Sequence, residues 1–218
     1  MTSERLTPRE FDTHIKNGTC RISFIGMSNG GKSYRSRILH DELGFLWHNV
    51  DEQIQKALGL KSVSEIATWL GYPSSRGYSE REQTYLSLEN KCTMEDASMR
   101  TNGKNFVFDT TGSIVQLGQD TLHALSEHTL IVHLDVGEDS VKVMIERFFK
   151  EPKPVAWGEY FTMQPNESEE EALRRCYPEL LKKRLARYRA LAHVNVPASE
   201  LYDRSGKETL DIIRNHLL

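Results

Sequence analysis

Gly26, Gly31, Lys32 and Ser33 occupy the fixed positions of the pattern G-x-x-x-x-G-K-[ST]. Glycines let successive backbone N–H groups turn inward around a polyphosphate, and a helix that follows points its positive end at it. Lys32 adds a mobile point charge for the outer phosphates, and the Ser33 hydroxyl is a ligand for Mg²⁺. The expected nucleotide contacts are Gly26, Ser28, Asn29, Gly30, Gly31, Lys32, Ser33 and Tyr34. A plain glycine turn is the alternative reading. The strand-like run before the loop and the helix-like run after it supply the context the pattern requires.

A phosphate cradle says nothing of what receives the phosphoryl group. Transfer to an alcohol needs cations, Mg²⁺ and a carboxylate that orients or deprotonates the hydroxyl. Asp51 and Asp109 each close an apolar strand-like run. Asp51 suits acceptor orientation, or equally an N-cap for the next helix. Asp109 suits Mg²⁺ beside Ser33, or a turn. Asp135 also ends a strand, and there an ordinary turn is the better reading. Lys150–Met163 carries Pro and Gly at a spacing that breaks all periodicity. It reads as a lid bringing Lys150 and Lys153 over phosphates, or as an exposed linker. Within the basic run Lys182–Arg189, Arg184 shares a helix side with Tyr188, near the stripe Leu181, Leu185 and Tyr188.

The elements that must hold these residues alternate along the chain. Strands are expected at Cys20–Ile25, Phe45–Val50, Asn105–Phe108, Thr129–Leu134 and Val194–Val196. Helices are expected at Lys32–Leu43, Glu52–Leu58, Val63–Leu70, Ser79–Met99, Val115–Leu125 and Ser140–Phe149. Another starts at the capping-box spacing Ser168…Glu171 and runs to Ala192, with a break before Pro178, and a last one follows Ser205…Glu208. This is the pattern of an α/β fold of the P-loop NTPase type: three layers, α/β/α, with a central five-stranded parallel sheet and a lid insertion. One domain over 1–218 is expected, with 1–19 as an N-terminal extension and 150–167 as the lid. In such folds ligands bind beyond the carboxyl ends of the strands, where the loop, Asp51, Asp109 and Thr111-Gly112 all fall.

Composition excludes other classes. A net charge of −3 over 218 residues gives no global attraction to nucleic acid. No apolar run approaches a membrane span, and Met1–Glu10 lacks a signal-peptide core. Three widely spaced cysteines make neither a zinc site nor a disulfide framework. A cytoplasmic monomer is expected, without nucleic-acid or membrane partners.

Together these residues resemble the shikimate kinase family of small P-loop kinases, from Cys20 to about Val196. Asn49-Val50-Asp51 matches the family's D-x-D, with Asn in the first position. Asp51-Glu52-Gln53-Ile54 and Ser62-Val63-Ser64-Glu65-Ile66 resemble its D-x-x-I helix and S-[IV]-x-E-I continuation. Arg184-Leu185-Ala186-Arg187-Tyr188 and Ala192 resemble R-x-P-x-Y-x-x-x-A, and Lys153 takes the arginine position of the lid motif. Tyr78-Ser79-Glu80-Arg81-Glu82 replaces F-R-x-x-E, so the clamping arginine is Ser79, with Arg76 and Arg81 the nearest cations. Asp109-Thr110-Thr111-Gly112-Ser113 replaces a triple-glycine loop. The resemblance implies a kinase using ATP and Mg²⁺ on a hydroxyl of a small anionic metabolite, shikimate first. Lys32, Asp51 and Lys153 would be catalytic. Asp51, Gly112 and Arg184 would hold the acceptor, and Ser33 and Asp109 the metal. The alternatives are a nucleoside or other sugar-like alcohol as acceptor, or an ATP-binding regulatory protein that no longer transfers phosphate.

Overall fold

The computed structural model describes residues 6–217. Residues 1–5 of the expected N-terminal extension lie outside the described residues, as does Leu218. Five short strands, β1 (Arg21–Ile25), β2 (Leu46–Asn49), β3 (Phe106–Asp109), β4 (Leu130–Asp135) and β5 (Val194–Pro197), form one sheet. Every pairing is parallel, in the order β2-β3-β1-β4-β5. The strands read as apolar runs because helices cover both faces. Ile25, Phe106, Phe108 and Ile131 enter one core, and Ile22, Phe24, Val107 and Val132 the other. All eight of these side chains are fully buried.

The second core is closed by α1 (Pro8–Asn17), α2 (Lys32–Leu43) and α9 (Gly206–Asn215) through Phe11, Leu39 and Ile213. Pro8–Asn17, within the expected N-terminal extension, packs on this core. A Thr7–Glu10 capping box starts α1, Phe11 is 1 % exposed, and Asp12 accepts from Arg214 of α9 at 2.8 Å. The first core is closed by α3 (Val50–Ala57), α4 (Val63–Leu70), α5 (Tyr78–Ser98), α6 (Gln119–His128), α7 (Ser140–Lys150) and α8 (Glu169–Leu191).

Three expectations change. The helix expected over Val115–Leu125 is split into a 3₁₀ turn at Ile114–Gln116 and α6. Extended backbone at Leu117 and Gly118 separates them, and Ile114 and Val115 anchor the turn in the core. No break precedes Pro178: α8 is continuous, because the buried stripe Cys176, Tyr177, Leu180, Leu181 holds it on both sides of the proline. Asp51 is not a cap. Asn49 is the N-cap of α3, its side chain accepting from Glu52 N–H at 3.1 Å, which leaves the Asp51 carboxylate free in the first turn.

No helix among the described residues is long and apolar enough to cross a membrane. Leu39 is the fully buried contact through which α2, and the loop before it, are pinned to the sheet. Leu39→Ala is expected to cost about 2–5 kcal/mol. A fall in the urea midpoint with an unchanged slope would show it.

Candidate active site

The glycine-rich loop leaves β1 at Gly26, whose φ of 141° is open only to glycine; a Cβ there would stand 3.0 Å from Leu134 O. Gly31 caps α2 with φ 93° and no side-chain bond, so the first-turn N–H groups of α2 are left to a ligand or solvent. Lys32 is 7 % exposed. Its ammonium donates to Gly26 O at 2.9 Å and Met27 O at 3.1 Å. Burial pulls its pKa down, and the charges of Asp109 and Asp51 oppose that pull.

Register places the first of those carboxylates. β3 lies between β1 and β2, and Asp109 is level with Phe24 on one side and Asn49 on the other. Its Oδ2 accepts from Asn49 Nδ2 at 2.9 Å. Oδ1 is buried with no partner. Burial pushes the carboxyl up to about 6, against the Lys32 charge and the nearby Ser33 hydroxyl. An unpaired carboxylate oxygen beside a serine hydroxyl is a fitting donor set for a small divalent cation, which takes few protein ligands and keeps its own waters. No group of three or more His, Cys, Asp or Glu among the described residues forms a cation cage.

Asp51 and Lys153 face the same cleft of about 210 Å³ as Lys32, Ser33 and Asn49. Burial raises the Asp51 carboxyl, with Lys32 and then Lys153 holding it back. Thr110 and Gly112 form another wall. Thr110 Oγ1 donates to Phe24 O at 2.8 Å, which turns its hydroxyl back into the sheet. Gly112 is required by contact: a Cβ there would lie 2.9 Å from Ser28 Oγ and 3.6 Å from Arg184 Nη1. Its carbonyl accepts from the Tyr188 hydroxyl.

Arg184 sits behind that glycine at 5 % exposure, outside the cleft lining. Its Nη2 donates to Gln116 Oε1 at 2.6 Å and Ala156 O at 2.8 Å, while Nε is buried without a partner. Gln116 has no signal in the sequence that would single it out. Of the other expected cations, Lys150 is exposed, and Arg76 is exposed. Arg81 donates to Leu70 O and Arg76 O, each at 3.0 Å. Neither Arg76 nor Arg81 reaches the cleft, and Ser79 faces outward, so no arginine of α5's first turn takes part.

The segment expected as a lid is packed down. Trp157 is 1 % exposed among Phe148, Phe161 and Tyr177, with ring centroids 6.1, 5.7 and 5.5 Å away. One oxygen of Glu82 accepts from Tyr78 Oη at 2.5 Å, Trp157 N–H at 2.6 Å and Gly158 N–H at 3.0 Å. This anchor leaves Lys153 and Pro154 over the cleft.

On the other side of the loop, a cavity of about 290 Å³ runs from Gly30, Gly31, Tyr34 and Arg35 to Leu134 and Leu201. Tyr34 borders it, 55 % exposed.

No motif singles out Glu89 or Tyr85; the fold brings Glu89 under the Thr111–Ser113 turn and Tyr85 to the wall of the cleft. A signal existed: Glu89 is a charge on the apolar stripe of α5 that also carries Tyr85 and Cys92.

Asp109 gives a pH dependence of stability. Its folded proton affinity exceeds the unfolded one, so stability is fullest below the ordinary aspartate pKa of about 3.9 and declines as pH rises toward about 6. In EDTA and without nucleotide, Asp109→Asn is expected to be more stable than the parent at pH 7 by on the order of 1–3 kcal/mol. The gap should shrink at pH 4. Urea unfolding of both proteins at the two pH values measures it, and equal gaps would contradict the assignment.

No family model and no curated protein matches the sequence. Solved structures do match in shape. Shikimate kinase from Acinetobacter baumannii, in complex with shikimate, is 19% identical with a TM-score of 0.63, over 94% of this chain and 97% of its own. Shikimate kinase from Bacteroides thetaiotaomicron is 20% identical with a TM-score of 0.59, over 90% and 97%. That from Aquifex aeolicus is 18% identical with a TM-score of 0.50, over 88% and 91%. The five-stranded parallel sheet with helices on both faces is thus the fold of the shikimate kinases, over nearly the whole of this chain.

Proposed function

We propose that this protein is an ATP-dependent small-molecule kinase that transfers the γ-phosphoryl group to a hydroxyl of a small anionic acceptor, with a shikimate-like acid as the leading candidate. The observation that carries the reading is the convergence of Lys32, Asp51, Asp109 and Lys153 at the carboxyl end of the sheet, with Asp109 Oδ1 buried and unpartnered beside Ser33. The base and ribose fit the cavity that Tyr34 and Arg35 border. The phosphates lie along the N–H groups of Gly26–Ser33, where Lys32 exchanges its loop carbonyls for phosphate oxygens. Mg²⁺ would be held by Ser33 and Asp109 and supplies charge neutralisation on the phosphates.

Asp51 accepts the acceptor's hydroxyl proton as that oxygen bonds to the γ-phosphorus; the bridging bond to the β-phosphate breaks, and its electron pair leaves with ADP. A carboxyl raised by burial is a stronger base than an exposed one, which suits the task. Lys153 spreads the charge of the transferring group from the lid side, as a point charge rather than a bidentate fork.

Arg184 supports an anionic acceptor. Its guanidinium is buried, has no ion pair among the described residues, and holds a free Nε. An uncompensated buried charge is costly, and an acceptor carboxylate would relieve it. The three free, buried cysteines suit the cytoplasm.

A second reading, an ATP-binding regulatory protein, is favoured by Ser79 and by Asn49 where the resemblance expects aspartate. Acceptor-stimulated ADP release decides between them. With hydroxy acids, nucleosides and sugar-like alcohols as acceptors, at least one is expected to accelerate ADP release. Asp51→Asn should then lower that rate about 10²–10⁴-fold while ATP affinity is kept. Tight ATP binding with no stimulation by any compound would sink the kinase.

A further inference from the structure

Under the turn after β3 lies a polar cluster in a core otherwise filled with carbon. Glu89 is fully buried. Its Oε1 accepts from the Thr111 hydroxyl, and its Oε2 accepts from the Ser113 hydroxyl at 2.6 Å. Thr111 Oγ1 also accepts from Ser113 N–H at 3.1 Å, closing the turn around Gly112. Tyr85, one helical turn before Glu89 and 2 % exposed, lines the cleft that holds Asp51, as does Gly112 of the turn.

A buried carboxylate thus braces, through two hydroxyls, the turn whose Gly112 shares the wall of the cleft with Tyr85. An apolar side chain at position 89 would leave both hydroxyls buried without an acceptor. What the acid does is fix geometry: it satisfies both hydroxyls of the turn and so holds Gly112 in place beside Tyr85.

We propose that Tyr85 is a specificity-determining residue of the acceptor site and Glu89 the positioning residue that sets it. The pair reads a second, unreacting hydroxyl of a polyhydroxylated acceptor, on the side of the cleft where the first turn of α5 offers no arginine. This rests on the kinase reading above. A buried phenol at the cleft wall rejects an analogue that lacks the matching hydroxyl, because the buried polar group is then left unpaired.

Shikimate, quinate, gluconate and adenosine are tested in ADP release, and the best acceptor is carried forward with the variants Tyr85→Phe and Glu89→Gln. Each variant is expected to raise the KM for that acceptor about tenfold while the KM for ATP stays within about twofold. A deoxy analogue of the acceptor should lose activity with the parent protein and lose little further with Tyr85→Phe. A lowered melting temperature with both KM values unchanged overturns the inference and assigns the cluster to stability alone, leaving the kinase intact. If Glu89→Gln does not fold, Tyr85→Phe, which removes one oxygen, decides by the same criteria. If none of the four compounds, nor any in the wider acceptor series, stimulates the parent protein, the kinase reading fails and the inference with it.

Discussion

A lysine ammonium at 7 % exposure has to be surrounded by oxygen, and the rest of the site follows from that requirement. Two loop carbonyls bond it directly, and the carboxylates of Asp109 and Asp51 set the field around it. The loop carbonyls are near because Gly26 adopts a backbone that no other residue takes easily. Asp109 is near because the crossover from β1 returns β3 to its immediate neighbour position in the sheet. Asp51 is near because Asn49 takes over the capping of α3 and leaves the next acid free. One buried cation thus draws on the ends of three adjacent strands.

Asp51, Asp109 and Glu89 all have their pKa values raised by burial, Asp109 to about 6 and Glu89 to about 7, with Lys32, Lys153 and Arg184 holding them back. Sites that hold acids at close quarters give up stability for binding and chemistry, the usual trade in enzyme clefts.

What could be read from the sequence was what is local. The phosphate loop is a contiguous run whose residue types state its geometry, and α2 and α4 have the bounds that their periodicity and stop signals imply. Asp109 was legible because the end of an apolar strand in a parallel sheet is a defined place. The far wall of the cleft was less so. Glu89, Thr111 and Ser113 meet only after α5 folds back on β3, and Gln116 reaches Arg184 only through the 3₁₀ turn where a regular helix was expected. Phe11 gave α1 an apolar residue, yet its role as a core member depends on α9, at the opposite end of the chain. Helical spacing alone overstated the disruption at Pro178, since tertiary packing on both sides holds α8 straight through it.

The strand order has one more consequence. With β1 in the middle, the phosphate loop divides the carboxyl edge of the sheet into two compartments. The cavity beside Tyr34 is built from α2, β4 and the segment after β5, whereas the cleft around Asp51 is built from the loop after β1 with the start of α2, the end of β2, α3, α4, α5, the turn after β3 and the segment after α7. Asn49 and Thr110 line that cleft and Thr111 lies in the turn beside it, so the loop separates all three from the cavity beside Tyr34. A fold partitioned in this way lets a substitution on one side of the loop leave the lining of the other side untouched.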